Sequence, residues 1–94
     1  MQARPLLSAR RLWDICSTLN TVTAQAILTA DLPGEGLKAG DVGTVVHIHK
    51  GGVAYEVEFT TLDGRTLAVA TVENNQLRPV SGRDVPHVRE LQAA

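Results

Sequence analysis

The segment 42–59 alternates polar and apolar residues at period two and is interrupted once, at Gly51-Gly52. Two alternating runs around two glycines form a hairpin, because glycine adopts the positive φ that tight hairpin turns require. Closure at that pair sets Lys50 opposite Val53, Ile48 opposite Tyr55 and Val46 opposite Val57. It also sets His47 opposite Glu56 and Val45 opposite Glu58. The large apolar partners then share one face and the polar partners the other.

The same reading extends along the chain. A β-branched run at 21–30 predicts a strand, followed by strands at 42–50, 53–59, 65–72 and 77–80. Pro79 suits the last of these to an edge. The turn at Leu62, Asp63 and Gly64 admits two registers. A two-residue loop sets Phe59 opposite Ala68. A three-residue loop with Gly64 left-handed sets Phe59 opposite Leu67 and Val57 opposite Val69. The second keeps bulky residues together and is preferred. The predicted core is Ile27, Val46, Ile48, Tyr55, Val57, Phe59, Leu67, Val69 and Leu77. Five short strands, a long first loop at 31–40, two tight hairpins and a single turn at 73–76 describe a mainly β domain. The architecture expected is a five-stranded Src-homology-3-like small β-barrel, whose sheet curls closed.

Two flanking segments complete the organisation. Residues 1–19 predict an amphipathic helix: Leu6, Ala9, Trp13 and Cys16 recur at helical spacing, and Pro5 suits a first turn. Residues 20–80 form the barrel. Residues 81–94 form a tail in which Asp84 is able to cap a short helix, with Pro86 in its first turn and Val85, Val88 and Leu91 along one side.

Composition narrows the function classes. The chain has 94 residues, enough for one small core. The formal net charge is −1, without the clustered basic excess of a nucleic-acid binder. Aromatic residues make up 3%, too few for base-stacking platforms. One cysteine, Cys16, excludes an internal disulfide and a cysteine zinc site. No apolar run reaches membrane-span length. The expectation is a small, soluble cytoplasmic protein without cofactor.

From Leu19 to Val80 the chain resembles a known family. Asp31-Leu32-Pro33, then Gly36-Leu37-Lys38-Ala39-Gly40-Asp41-Val42-Gly43-Thr44-Val45-Val46, carry the resemblance. Ala54-Tyr55-Glu56-Val57-Glu58-Phe59 and Gln76-Leu77-Arg78-Pro79 complete it. The family is the uncharacterised bacterial "domain of unknown function 4926". Membership implies a short strand-rich barrel, often standing alone, and suggests a partner-binding or antitoxin-like role. Residues 1–18 precede the part that resembles the family.

Candidate functional residues fall in three places. His47 and His49 lie on one outer strand face, with Glu56 across from His47. Two imidazoles on one face resemble part of a metal site, but no third convergent ligand is evident, and a solvated polar face is the preferred reading. Glu56 and Glu58 read as surface residues, since catalytic carboxylates sit in clefts. The loop 31–40 is glycine-rich without a phosphate-loop signature, and Asp31, Glu35 and Asp41 repel phosphate. It is either a shaped connection or a recognition loop. On the N-terminal segment, Leu12, Trp13, Cys16 and Leu19 form an apolar stripe that docks on the barrel or makes a homodimer.

The combined expectation is a non-enzymatic protein-interaction module, antitoxin-like or an accessory subunit. Asp31, Leu32, Glu35, Leu37, His47, His49, Glu56 and Glu58 form its partner-binding set. The alternative is nucleic-acid binding by a KOW-like barrel through Arg4, Arg10 and Arg11, against which the acidic middle of the chain counts.

Overall fold

The computed structural model describes residues 24–91; the helix expected over 1–19 lies outside them. Five strands form one antiparallel sheet: β1 (Gln25–Leu28), β2 (Val42–His49), β3 (Ala54–Thr60), β4 (Thr66–Glu73) and β5 (Leu77–Pro79). The last four begin and end within one residue of their expected bounds. Strand β1 stops at Leu28, where Thr29 and Ala30 bend away. There is no α-helix among the described residues.

The strand order is β4-β3-β2-β1-β5, so β4 and β5 are the two edges. A flat sheet of five strands would hold its edges roughly 19 Å apart, four spacings of about 4.8 Å. Yet only a 3-10 turn, Asn74–Gln76, joins β4 to β5. Four Cα steps reach about 14 Å when fully extended, and less through a turn. The sheet is therefore strongly curled. It is not closed, however, because no ladder joins β4 to β5. The closed barrel expected from sequence is corrected on this point. The turn bonds to neighbours instead: Asn74 N–H donates to the Val53 carbonyl (3.1 Å), and Thr29 N–H donates to the Gln76 carbonyl (2.8 Å). A reciprocal capping box between Glu73 and Gln76 closes the turn on itself.

Two bulges correct the expected registers. Next to the glycine turn, Ile48 faces Tyr55 and His47 faces Glu56, as expected. The pairing then slips by one, so that Val45, not Val46, faces Val57, and Thr44 faces Glu58. Val46 is the extra residue and is 42% exposed, while Val45 is fully buried. Adjacent valines fit either phase of the alternation, and the bulge chooses between them. The turn itself spans Lys50 to Val53. Lys50, Gly51 and Gly52 all have positive φ, and His49 O accepts from Gly52 N–H and Val53 N–H, so Lys50 and Val53 do not pair.

The second hairpin begins as expected. Thr61 N–H donates to Arg65 O (2.9 Å), Gly64 has φ 91°, and Thr60 faces Thr66. One bulge later the register shifts, so that Phe59 faces Ala68 and Val57 faces Ala70. A three-residue loop plus one bulge yields the ladder that a two-residue loop alone would have set. Val69 consequently points outward and is 54% exposed.

Ile27, Tyr55, Val57, Phe59 and Leu77 are buried as expected, and Ile48 and Leu67 pack partly against the core. Val46 and Val69 are not in it. Ala26, Leu28, Leu37, Val45, Ala70 and Val72 fill the inner face instead. Gly43 lies opposite Ala26, and a Cβ there would meet Val57 Cγ1 at 2.6 Å, Glu58 O at 2.9 Å and Phe59 Cδ2 at 2.9 Å.

The described part of the C-terminal segment, residues 81–91, forms no helix, contrary to expectation. Asp84 does not cap one, because its carboxylate is engaged elsewhere. Arg78 donates to it from both terminal nitrogens (2.6 and 3.1 Å), and Ser81 N–H donates at 2.7 Å. Val85 and Val88 remain exposed. The segment crosses back over the first loop, where Arg89 donates to both oxygens of Asp41 (2.9 and 2.7 Å) and to Gly36 O (3.2 Å).

Gly43→Ala is expected to destabilise the protein by about 1–3 kcal/mol, since neither backbone nor packed ring gives way freely. A lower urea midpoint at unchanged slope is the readout. Arg78, and after it Ser81 N–H, lower the Asp84 pKa to about 2. A depressed carboxylate stabilises the fold above its unfolded value near 3.8 and loses that contribution as pH falls towards 2. Asp84→Asn is therefore expected to flatten the fall in stability between pH 4 and 2, measured by denaturation at stepped pH.

Candidate functional site

The outer face of β2, β3 and β4 collects the polar residues singled out in the sequence. Alternation turns Tyr55, Val57 and Phe59 inward, so Glu56 and Glu58 must point out. The register set at the glycine turn puts His47 opposite Glu56, and His49 lies opposite Ala54. The two imidazole rings meet edge to face with centroids 4.7 Å apart. His49 Nε2 lies 2.8 Å from Glu56 Oε2, diagonally across the pair.

Two threonines, not anticipated from sequence, complete the network. Thr71 Oγ1 donates to Glu56 Oε2 at 2.6 Å, and Thr66 Oγ1 donates to Glu58 Oε2 at 2.7 Å. Thr71 faces Glu56 directly in the β3–β4 ladder. The Thr71 hydroxyl, and after it His49, hold Glu56 below the usual carboxylate range. The carboxylates are thus fixed in orientation on an exposed sheet. Val46 and Val69, displaced outward by register, sit on the same side. The missing signal was the ladder: Thr66 and Thr71 look like ordinary strand residues until their partners are known.

This cluster does not assemble a metal site. Among the described residues no three His, Cys, Asp or Glu side chains are grouped to hold an ion. One ring nitrogen of His49 already faces a carboxylate.

The first loop is shaped from within. Leu32 and Leu37 bridge its neck around a 3-10 turn, Pro33–Glu35, closed by left-handed Gly36. Leu37 is 1% exposed and belongs to the core, and Leu32 packs against that core. Asp31 accepts from Ala39 N–H (2.8 Å) and Asp41 from Lys38 N–H (2.9 Å). Arg89, then burial opposing it and Lys38 N–H assisting, leave Asp41 below the ordinary carboxylate range. Of the expected loop contacts, Glu35 alone stands exposed without such a role. Asp31, Leu32 and Leu37 hold the loop together, so the loop and the outer strand face are separate places. Between the tail and the sheet runs a groove of about 790 Å³, walled by Leu37, Val42, Phe59, Leu67, Val88 and Leu91. Leu12, Trp13, Cys16 and Leu19 lie outside the described residues.

A family model described as "Domain of unknown function (DUF4926)" matches residues 24–79. The chain belongs to this family. The match runs from the residue before β1 to the end of β5, so the curled sheet is the DUF4926 unit and the strap of residues 81–91 follows it. No match is found among curated proteins or solved structures. No helix among the described residues is long and apolar enough to cross a membrane.

Thr71→Val is expected to raise the Glu56 pKa by removing its foremost stabilising hydrogen bond. Carboxyl-carbon NMR titration of Glu56 checks this.

Proposed function

We propose that this DUF4926 domain is a non-enzymatic protein-interaction module whose docking surface is the outer face of β2, β3 and β4. The observation that carries the proposal is the ordered network there. Glu56 and Glu58 are each fixed by a threonine hydroxyl, beside an imidazole pair and two outward valines. Carboxylates held in place lose less freedom on binding than mobile ones, and exposed apolar side chains beside them suit a partner surface. The strand order, and the 3-10 turn just before β5, support kinship with Src-homology-3-like barrels, scaffolds that serve many functions. An antitoxin-like role or that of an accessory subunit fits such a module. A face of carboxylates without lysine or arginine weighs against a phosphate backbone as the ligand.

The test is a tagged pull-down from native lysate, with and without nuclease, using wild type and the double variant Glu56→Lys, Glu58→Lys. The expected result is a stoichiometric protein partner that survives nuclease and is lost with the charge-reversed face. Recovery of nucleic acid, with proteins lost after nuclease, would overturn the reading and turn attention to Arg4, Arg10 and Arg11.

A further inference from the structure

The two edges of the sheet are treated differently. Strand β5 has three residues and includes Pro79, and its Arg78 is tied to Asp84 of the strap. Strand β4 has eight residues, and its bulge lies at the start, beside Leu67. From Ala68 to Glu73 it runs straight against β3, with no strand on its other side among the described residues. Edges are commonly guarded by proline, lysine, a bulge or brevity, and this stretch has none of these.

Charge says what fits beside it. Strands β2, β3 and β4 contain no lysine or arginine, while Glu56, Glu58 and Glu73 are their carboxylates. On the outer face Val69 faces Glu58, Thr71 faces Glu56 and Glu73 faces Ala54. A strand added along β4 would lie about 9.6 Å from β3, two strand spacings. A lysine or arginine at an outward position of that strand spans this gap with its own length plus that of the glutamate. Between the basic positions, inward residues would meet the edge formed by Ala68, Ala70 and Val72 and need to be small or β-branched. A second copy of β4 would instead bring Glu73 and no lysine or arginine, leaving Glu56 and Glu58 without a cationic partner.

We infer that the open edge of β4, Ala68 to Glu73, accepts an extended partner segment in which lysine or arginine alternates with small or β-branched residues. Main-chain hydrogen bonds to the edge provide attachment, and Glu56, Glu58 and Glu73 select the cationic side chains. The inference rests on the interaction-module reading and names the partner's chemistry.

The experiment uses three capped seven-residue peptides. One is Lys-Val-Lys-Thr-Lys-Val-Lys, one has glutamate for every lysine, and one has proline at its centre. Each is titrated into the full chain at low salt and followed by amide NMR and hydrogen exchange. The lysine peptide is expected to slow exchange at alternate amides between Ala68 and Glu73 and to bind at least tenfold more tightly than the glutamate peptide. The proline peptide is expected to lose that protection. Glu58→Lys is expected to erase the charge preference. Thr71→Lys, an exposed change on the strand itself, is expected to block binding without unfolding. Equal affinity for both charged peptides would overturn the inference, as would shifts confined to β2 with no protection on β4. A dimer in sedimentation with β4 amides already protected would place a second copy on the edge and overturn it too. If the lysate partner is lost with the double variant Glu56→Lys, Glu58→Lys while the lysine peptide gives no protection on β4, the interaction module stands and the edge inference falls.

Discussion

Asn74, Asn75 and Gln76 carry the chain from one edge of a five-stranded sheet to the other, and this short connection governs the rest. A link of that length forces the sheet to curl, and the curl leaves one small concave face to fill. Tyr55 and Phe59 are the largest fully buried side chains on it, and burying a side chain such as Phe59 contributes roughly 1.5–3 kcal/mol. Gly43 on the adjoining strand has to be small, because a Cβ there would meet Val57, Glu58 and Phe59. Leu37 comes in from the first loop as another fully buried side chain, which ties the loop's shape to the core.

The convex face carries the opposite demand. It has no neighbouring layer among the described residues, so its side chains settle their hydrogen bonds with one another. Glu56 and Glu58 take threonine hydroxyls from β4, and His49 turns to Glu56. A polar network of this kind does little for stability in water, since each exposed pair is screened. It does limit the conformations the carboxylates visit, which suits recognition. The strap is held similarly: Arg78 and Arg89 grip Asp84 and Asp41, while Val85 and Val88 stay in water.

Much of this was legible in the residues. Alternation and glycine placement located β2 to β5 to within one residue, and the inward set Tyr55, Val57 and Phe59 followed from the same pattern. What alternation does not encode is an unpaired residue. At Val45-Val46 either valine satisfies the inner face, and the choice depends on twist, a property of the whole sheet. At the second hairpin the turn was readable from Gly64, but the bulge beside Leu67 was not. The outer network shared that fate, because Thr71 becomes the partner of Glu56 only once the ladder is set. For the strap, Asp84 looked like a helix cap in its own neighbourhood, and Arg78 engages it from the preceding strand. The family resemblance pointed to the matched unit, but it held no information on how the two edge strands differ.

Val46 has a consequence of its own. Removing it from the chain would leave Val45 facing in, His47 facing out and Ile48 facing in, the sequence of an unbroken pleat. Every cross-strand partner on either side would keep its place. The residue therefore sets geometry without a cross-strand partner, and the curvature of the sheet is written partly in a position that lies outside the core. The length of β2, counted in residues, is in this sense a variable that sets shape independently of the residues that fill the core.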